Sequence, residues 1–276
     1  MKLGAHVSAA GGIDKAIDRA AKMGAETIQI FGSPPQSLRP PSHTQQSTDS
    51  FKLKAKEKKI SPIFLHAPYL INLATPKQSH LEISINSLMA ALNLAKDLDA
   101  EGVIFHTGSS LGADFESVQG QVVQAIKKIL SATSGAKLII ENSAGAGGTV
   151  GDNPAEIGAI IKAVGSARVA TCLDTQHAFA SGYDLSGEPG IRKMISDWET
   201  HIGLDKVIVI HANDSKVPLG SNRDRHENIG QGLIGKAGFS LMKKNGSLGE
   251  LPWIIEVPGF ADQGPDKENL DILKSL

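Results

Sequence analysis

Eight short apolar runs recur along the chain, and each is followed by enough residues to form a helix. The runs occupy residues 3–7, 27–31, 62–67, 102–107, 137–142, 169–174, 206–212 and 253–257. Amphipathic stretches lie between them, for example at 12–23, 79–98, 118–130 and 154–164. Within 79–98, Leu81, Ile85, Leu88, Leu92 and Leu94 recur near the helical period. Strands separated by such long crossovers pair in parallel, because a parallel connection cannot be made by a tight turn. The alternation therefore predicts an α/β fold, a closed (β/α)8 TIM barrel spanning residues 1–276 as a single domain. The structural rival is an open doubly wound sheet, which gathers ligands only at its switch point.

The ends of these runs favour the barrel. His66 closes PIFLH, His106 closes GVIFH and His211 closes VIVIH, while Glu141 closes LIIE, Asp174 closes TCLD and Glu256 closes WIIE. A charge at the end of a buried strand is costly unless it is paired or bound to a cation. One such residue would read as a hydrogen-bonded structural group. Six on six strands read as a shared metal site at the carboxyl rim, the face on which barrel enzymes keep their chemistry. DTQH adds His177 three residues after Asp174, and DRH places Asp224 and His226 on one side of an extended segment. On its own, RDRHEN would read as a solvated charged loop. Nine ligands of this type are too many for one ion and suit a group of two or three, which points to chemistry on a phosphate or a similarly charged oxygen group.

Composition narrows the remaining choices. A net charge of −1 shows no basic excess of the kind nucleic-acid binders carry, so any attraction for a phosphodiester must come from bound cations. The lone Cys172 excludes an internal disulfide and a zinc site of four thiolates, and reads as a small buried strand residue. MKLGAHVSAAGG lacks the apolar stretch of a signal peptide, and no run approaches the length of a membrane span, so the expectation is a cytoplasmic chain without a membrane partner. Residues 33–50, rich in Pro, Ser and Gln, read as a long loop after the second strand. KLKAKEKK at 52–59 reads as a solvated helix face, and GAGGTVG at 145–151 as a tight rim loop rather than a nucleotide cradle. His6 is expected beside the ligands rather than among them. His43, His80 and His201 are expected at the surface.

Taken together, GAHVSAAGG, HAPYLINL, FHTGS, IENSAG, LDTQHAFASGYD, HANDSK, GSNRDRH, IGQGLIG and IIE resemble the endonuclease IV family of apurinic/apyrimidinic (AP) endonucleases, from the first strand to the last. The resemblance implies three divalent ions at the barrel rim, zinc in the first place, with Mn2+ or Fe2+ compatible at one position. By the same resemblance His66 and His106 hold the first ion, and Glu141 bridges it to a second held also by Asp174, His211 and Glu256. His177, Asp224 and His226 then hold the third. Three such ions against four carboxylates leave a locally positive site. The implied reaction is hydrolysis of the phosphodiester 5′ to an abasic site in double-stranded DNA, as in base excision repair. It leaves a 3′-hydroxyl and a 5′-deoxyribose phosphate, and the implied activities include cleaning of blocked 3′ ends. Glu141 and Glu256 are the expected catalytic residues, orienting water whose pKa the ions lower, so no protein nucleophile is needed. An abasic nucleotide has no base to unstack, so it flips out at low cost. Tyr69 and Leu70 are placed to wedge into the gap.

One segment departs from the family pattern. Members often carry FTKNxRxW after the second strand, whereas this chain has FGSPPQSLRP, with Gln36 at the arginine position and Leu38 at the tryptophan position. Lesion grip is then expected to be weaker or shifted to Arg39. Lys216, Arg223, Arg225 and Lys236 are expected to extend the positive field along the DNA backbone, and the chain is expected to act as a monomer. Two rival readings remain on sequence alone. One is a metal-dependent sugar isomerase or epimerase of the same barrel type, which uses fewer ligands. The other is a catalytically silent lesion-binding protein.

Overall fold

The computed structural model describes residues 1–276. Its strands are β1 (Lys2–His6), β2 (Thr27–Phe31), β3 (Ile63–His66), β4 (Gly102–Phe105), β5 (Lys137–Glu141), β6 (Val169–Asp174), β7 (Val207–His211), β8 (Asp214–Ser215), β9 (His226–Glu227) and β10 (Pro252–Ile255). Eight of them close into a barrel in the order β1-β10-β7-β6-β5-β4-β3-β2, while β8 and β9 form a separate small ribbon. Every barrel pair is parallel. The expected TIM barrel is therefore the observed fold, with each strand within a residue or two of its expected place.

Side chains alternate across each strand, so one set faces the helices and the other fills the barrel. Phe64, Ile104, Ile139, Ala170, Cys172, Val209 and Ile254 form a plug inside the barrel, separate from the larger core between strands and helices. Six of these lie two residues before His66, His106, Glu141, Asp174, His211 and Glu256. The plug and the rim are thus successive inward layers of the same strands. A register shift in β6 at Thr171/Cys172 brings Asp174 level with His211 across the β6–β7 pair.

Gly4 occupies the plug level on β1, opposite Thr27 of β2. A methyl group at this position would lie 1.8 Å from the Thr27 carbonyl oxygen, which belongs to the strand ladder and cannot move aside. Gly4→Ala is expected to push β1 from β2 and lower stability by about 3 kcal/mol, read by denaturant unfolding. A change below about 0.5 kcal/mol would show that the barrel wall relaxes freely at this point.

The loop after β2 is shorter than expected. Residues 45–50 are the first turns of the helix Gln45–Lys58, because the Thr44 side chain caps the Ser47 N–H and Thr48, Phe51 and Ala55 face the core. KLKAKEKK lies on that helix, but Lys54 is not simply solvated. It reaches Asp14 at 2.8 Å and Asp18 at 2.6 Å on the preceding helix. His43 and His201 are exposed, while His80 is half-buried with Nε2 2.9 Å from the Leu70 carbonyl. Gly145, Gly147, Gly148 and Gly151 all adopt positive φ, as a tight rim loop requires. No helix is long and apolar enough to cross a membrane.

Candidate metal centre

Seven barrel strands deliver an inward polar side chain at the carboxyl end, namely His6, His66, His106, Glu141, Asp174, His211 and Glu256, and β2 adds Gln29 from its middle, level with His6. The fold adds three more from outside the barrel wall. His177 comes from the short helix Thr175–Ala180, whose first turn is capped by Asp174 accepting the His177 N–H at 2.8 Å. Asp224 and His226 come from the β8–β9 ribbon, in which His226 pairs with Ser215. All nine residues expected to bind metal converge on one rim. Three overlapping groups have potential ligand atoms within 4.8 Å of one another: His66, His106 and Glu141; Glu141, Asp174, His211 and Glu256; and Asp174, His177 and His226. Asp224 completes the last group, with carboxylate oxygens 3.4 Å from His177 Nε2 and 3.2 Å from His226 Nε2. Cys172 also approaches Glu141 and His211, but burial pushes its thiol up to about 12, and it belongs to the plug layer.

The imidazoles are oriented by their far nitrogens. His66 Nδ1 lies 2.6 Å from the Ala67 carbonyl, His177 Nδ1 2.9 Å from the Asn142 carbonyl and His226 Nδ1 3.3 Å from the Glu256 carbonyl. Each of these carbonyls can only accept, so it selects the Nδ1–H tautomer and leaves Nε2 facing the site with a lone pair. Nε2 of His177 and of His226 is buried without a hydrogen-bond partner. Such groups, aimed at a shared carboxylate, fit a divalent cation with His and carboxylate ligands.

Charge at this rim is tightly held. Against the cost of partial burial, the His177 and His226 imidazoles, 3.4 and 3.2 Å away, hold the Asp224 carboxyl far below the usual range. Burial likewise opposes ionisation of Glu141, yet the charge of His211 and the hydrogen bonds of His211 and His66 keep its pKa well down. Burial would lower His177, but Asp174 and Asp224 raise it to about 10. For His226, burial is outweighed by the adjacent Asp224 and Asp174 carboxylates, giving about 9. Burial drives His106 down to about 4. Carboxylates and imidazoles at this rim hold one another's charge, and a metal cation would compete with protons for the same atoms.

The residues expected to touch DNA are spread more widely. Tyr69, 65% exposed, lines the centre, with its ring edge-on to Phe31 at 5.4 Å. Given this exposure, burial has only a small part in the upward shift of its phenol, which the charges of Glu256 and Glu141 drive. The Tyr69 N–H donates to the Pro35 carbonyl, tying the loops after β2 and β3 together. Arg39 lines a neighbouring groove of about 1300 Å3 with Arg19, Lys22 and Lys267, three cations that sequence reasoning did not single out. Lys216, Arg223, Arg225 and Lys236 are exposed on or after the ribbon on the β7 side. Arg225 folds back onto the Asp224 carbonyl at 2.5 Å. Gln36 and Leu70 are exposed but line neither cavity.

Four supporting residues also escaped the sequence reading. Asn213 donates to Asp174 Oδ2 at 2.7 Å and accepts the Glu256 N–H at 2.8 Å. Asn142 accepts the Asp174 N–H at 2.7 Å. Gln29 and Asp214 are fully buried.

Residues 17–276 match the family described as xylose isomerase-like TIM barrel. The chain is 38% identical over 276 residues to a protein of Halothermothrix orenii named probable endonuclease 4, covering 99% of each. Among solved structures it resembles endonuclease IV from Thermus thermophilus with a TM-score of 0.87 at 30% identity, covering 100% of this chain and 98% of that one. A D-tagatose 3-epimerase-like protein matches with a TM-score of 0.76 at 20% identity, covering 100% and 96%, a likeness of fold alone.

Proposed function

Because this chain belongs to the endonuclease IV family, we propose that its rim hydrolyses the phosphodiester 5′ to abasic sites in double-stranded DNA, leaving a 3′-hydroxyl and a 5′-deoxyribose phosphate. The reading includes trimming of blocked 3′ ends and takes residues 1–276 as one barrel unit working as a monomer. The observation that carries it is the set of three ligand groups linked through Glu141 and Asp174. A sugar epimerase needs fewer ligands and an acid/base pair, so the third group favours the nuclease over that rival.

Three divalent ions, zinc in the first place, are assigned to these groups. His66, His106 and Glu141 would hold one; Glu141, Asp174, His211 and Glu256 a second; and His177, Asp224 and His226 a third. When bound, such ions supply positive charge to a phosphodiester and lower the pKa of water. The protein residues do the rest. Glu141, 1% exposed, holds His66, His106 and His211 in one geometry. Glu256 remains partly open to the cavity and is placed to orient an attacking water there. No serine, threonine or cysteine is needed as nucleophile. Tyr69 at the rim and the exposed Leu70 that follows it are the side chains assigned to fill the gap a flipped lesion would leave in the stack.

The direct test is cleavage of a duplex oligonucleotide with one abasic site, with zinc per chain measured on the same sample. Uncut duplex with a full metal complement would end the proposal. Tyr69→Ala is expected to weaken binding of abasic duplex roughly tenfold, about 1.4 kcal/mol, without changing metal content. Unchanged affinity in a gel-shift titration would remove Tyr69 from lesion recognition.

A further inference from the structure

β2 is the one barrel strand that sends no ionisable side chain to the site. It sends Gln29 instead, level with His6 and fully buried beneath the rim. Its amide nitrogen lies 2.6 Å from Glu256 Oε1 and 2.8 Å from His6 Nδ1, and its oxygen lies 2.7 Å from His211 Nε2.

These contacts fix hydrogen positions in sequence. The Glu256 carboxylate can only accept, so the NH2 end of Gln29 must face it. The amide oxygen must then face His211, so His211 Nε2 must carry the proton. Nδ1 is then the nitrogen an ion would take in place of a proton, 2.7 Å from Glu141 Oε1 and 3.2 Å from Glu256 Oε2, at the heart of the second ligand group. His211 is thus reversed relative to His66, His177 and His226, which present Nε2 and anchor Nδ1 on backbone carbonyls. Backbone carbonyls cannot be mutated away, whereas the anchor of His211 is a side chain.

We propose that Gln29 is a positioning residue for the second metal group: it holds the proton of His211 on Nε2 and ties down Glu256 Oε1, leaving Glu256 Oε2 beside His211 Nδ1. One neutral amide suits this position because it donates to the carboxylate and accepts from the imidazole at once. A carboxylate there would repel Glu256, and a cation would have no lone pair for His211.

The inference rests on the metal reading above, and its test separates the two. Ion-free protein is titrated with zinc against a chromophoric chelator, for the parent chain and for Gln29→Leu, which keeps the bulk and loses both bonds. The expected result is zinc binding by the parent and a roughly 10- to 100-fold weaker affinity at one class of site in the variant. Equal affinities would overturn the role of Gln29 while leaving the metal reading in place. A parent that binds no zinc would overturn both. Histidine 15N spectra of the zinc-loaded parent need no variant and stand even if Gln29→Leu fails to fold. They should show His211 protonated at Nε2, and a His211 lacking that proton would overturn the proposal. A purely packing role for Gln29 would not set this tautomer.

Discussion

Glu141→Gln is expected to lower the rate of abasic-duplex cleavage by about three orders of magnitude, equivalent to about 4 kcal/mol of barrier. The size follows from how much one carboxylate holds. Oε2 of Glu141 lies 3.1 Å from His66 Nε2 and 3.3 Å from His106 Nε2, while Oε1 lies 2.7 Å from His211 Nδ1. Glutamine has nearly the same shape, so packing around this buried position should survive. What changes is charge and donor pattern: one anion disappears, and an NH2 group faces imidazole nitrogens or a cation. Two of the three ligand groups share Glu141, so both are weakened by one substitution, whereas the His177, Asp224 and His226 group keeps its anion. Mass spectrometry under native conditions should therefore show ions lost from the variant with a fraction still bound. A fully loaded variant cleaving at the parent rate would show that the carboxylate is neither a bridge nor a water-orienting group.

Much of this rim was legible because a barrel repeats one rule. The strand ends PIFLH, GVIFH, LIIE, TCLD, VIVIH and WIIE place the polar residue two positions after an inward apolar one, and parallel closure brings such residues together. TIQIF follows the same alternation, with Gln29 two positions before Phe31, but a neutral amide raises no alarm in a sequence. Its importance depends on the partners that closure supplies, Glu256 and His211, which are far away in the chain. The start of the helix Gln45–Lys58 was hidden differently. QQSTDS is polar enough to pass for loop, and only the Thr44 cap and the buried Thr48 and Phe51 reveal a helical turn. The cations of the second groove were missed because Arg19, Lys22 and Lys267 come from opposite ends of the chain. Asp214 was read only as part of HANDSK, since the groups it binds lie 16 to 21 residues downstream.

Asp214 also carries the largest expected stability effect. Its carboxylate is fully buried, with Oδ2 accepting the N–H groups of Gly230 and Gly232 at 2.8 and 3.1 Å. Oδ1 accepts those of Ile234 and Gly235 at 3.0 and 3.2 Å, besides its neighbour Ser215 at 2.8 Å. IGQGLIG is thus a loop whose backbone donors converge on one side chain, and the loop runs directly on from the ribbon that presents Asp224 and His226. The close approach also explains Gly232, where a methyl group would lie 2.5 Å from Asp214 Oδ1. Asp214→Ala leaves four loop donors unpaired, each costing about 1–3 kcal/mol if it stays dry. Water entry and loop relaxation recover part of this, so the expected loss is about 4 kcal/mol, or a fall in melting temperature on the order of 10 °C. Asp214→Asn should fall between the two, because one oxygen still accepts from Ile234 and Gly235 while the NH2 group opposes Gly230 and Gly232. The damage should be regional as well as global. The ribbon would lose its anchor, so the ion assigned to His177, Asp224 and His226 should be released first, while the barrel-wall groups keep theirs. Thermal unfolding paired with metal counting distinguishes this from a uniform loss of stability. If Asp214→Ala melts within about 2 °C of the parent and retains every ion, the ribbon is held by something other than this carboxylate.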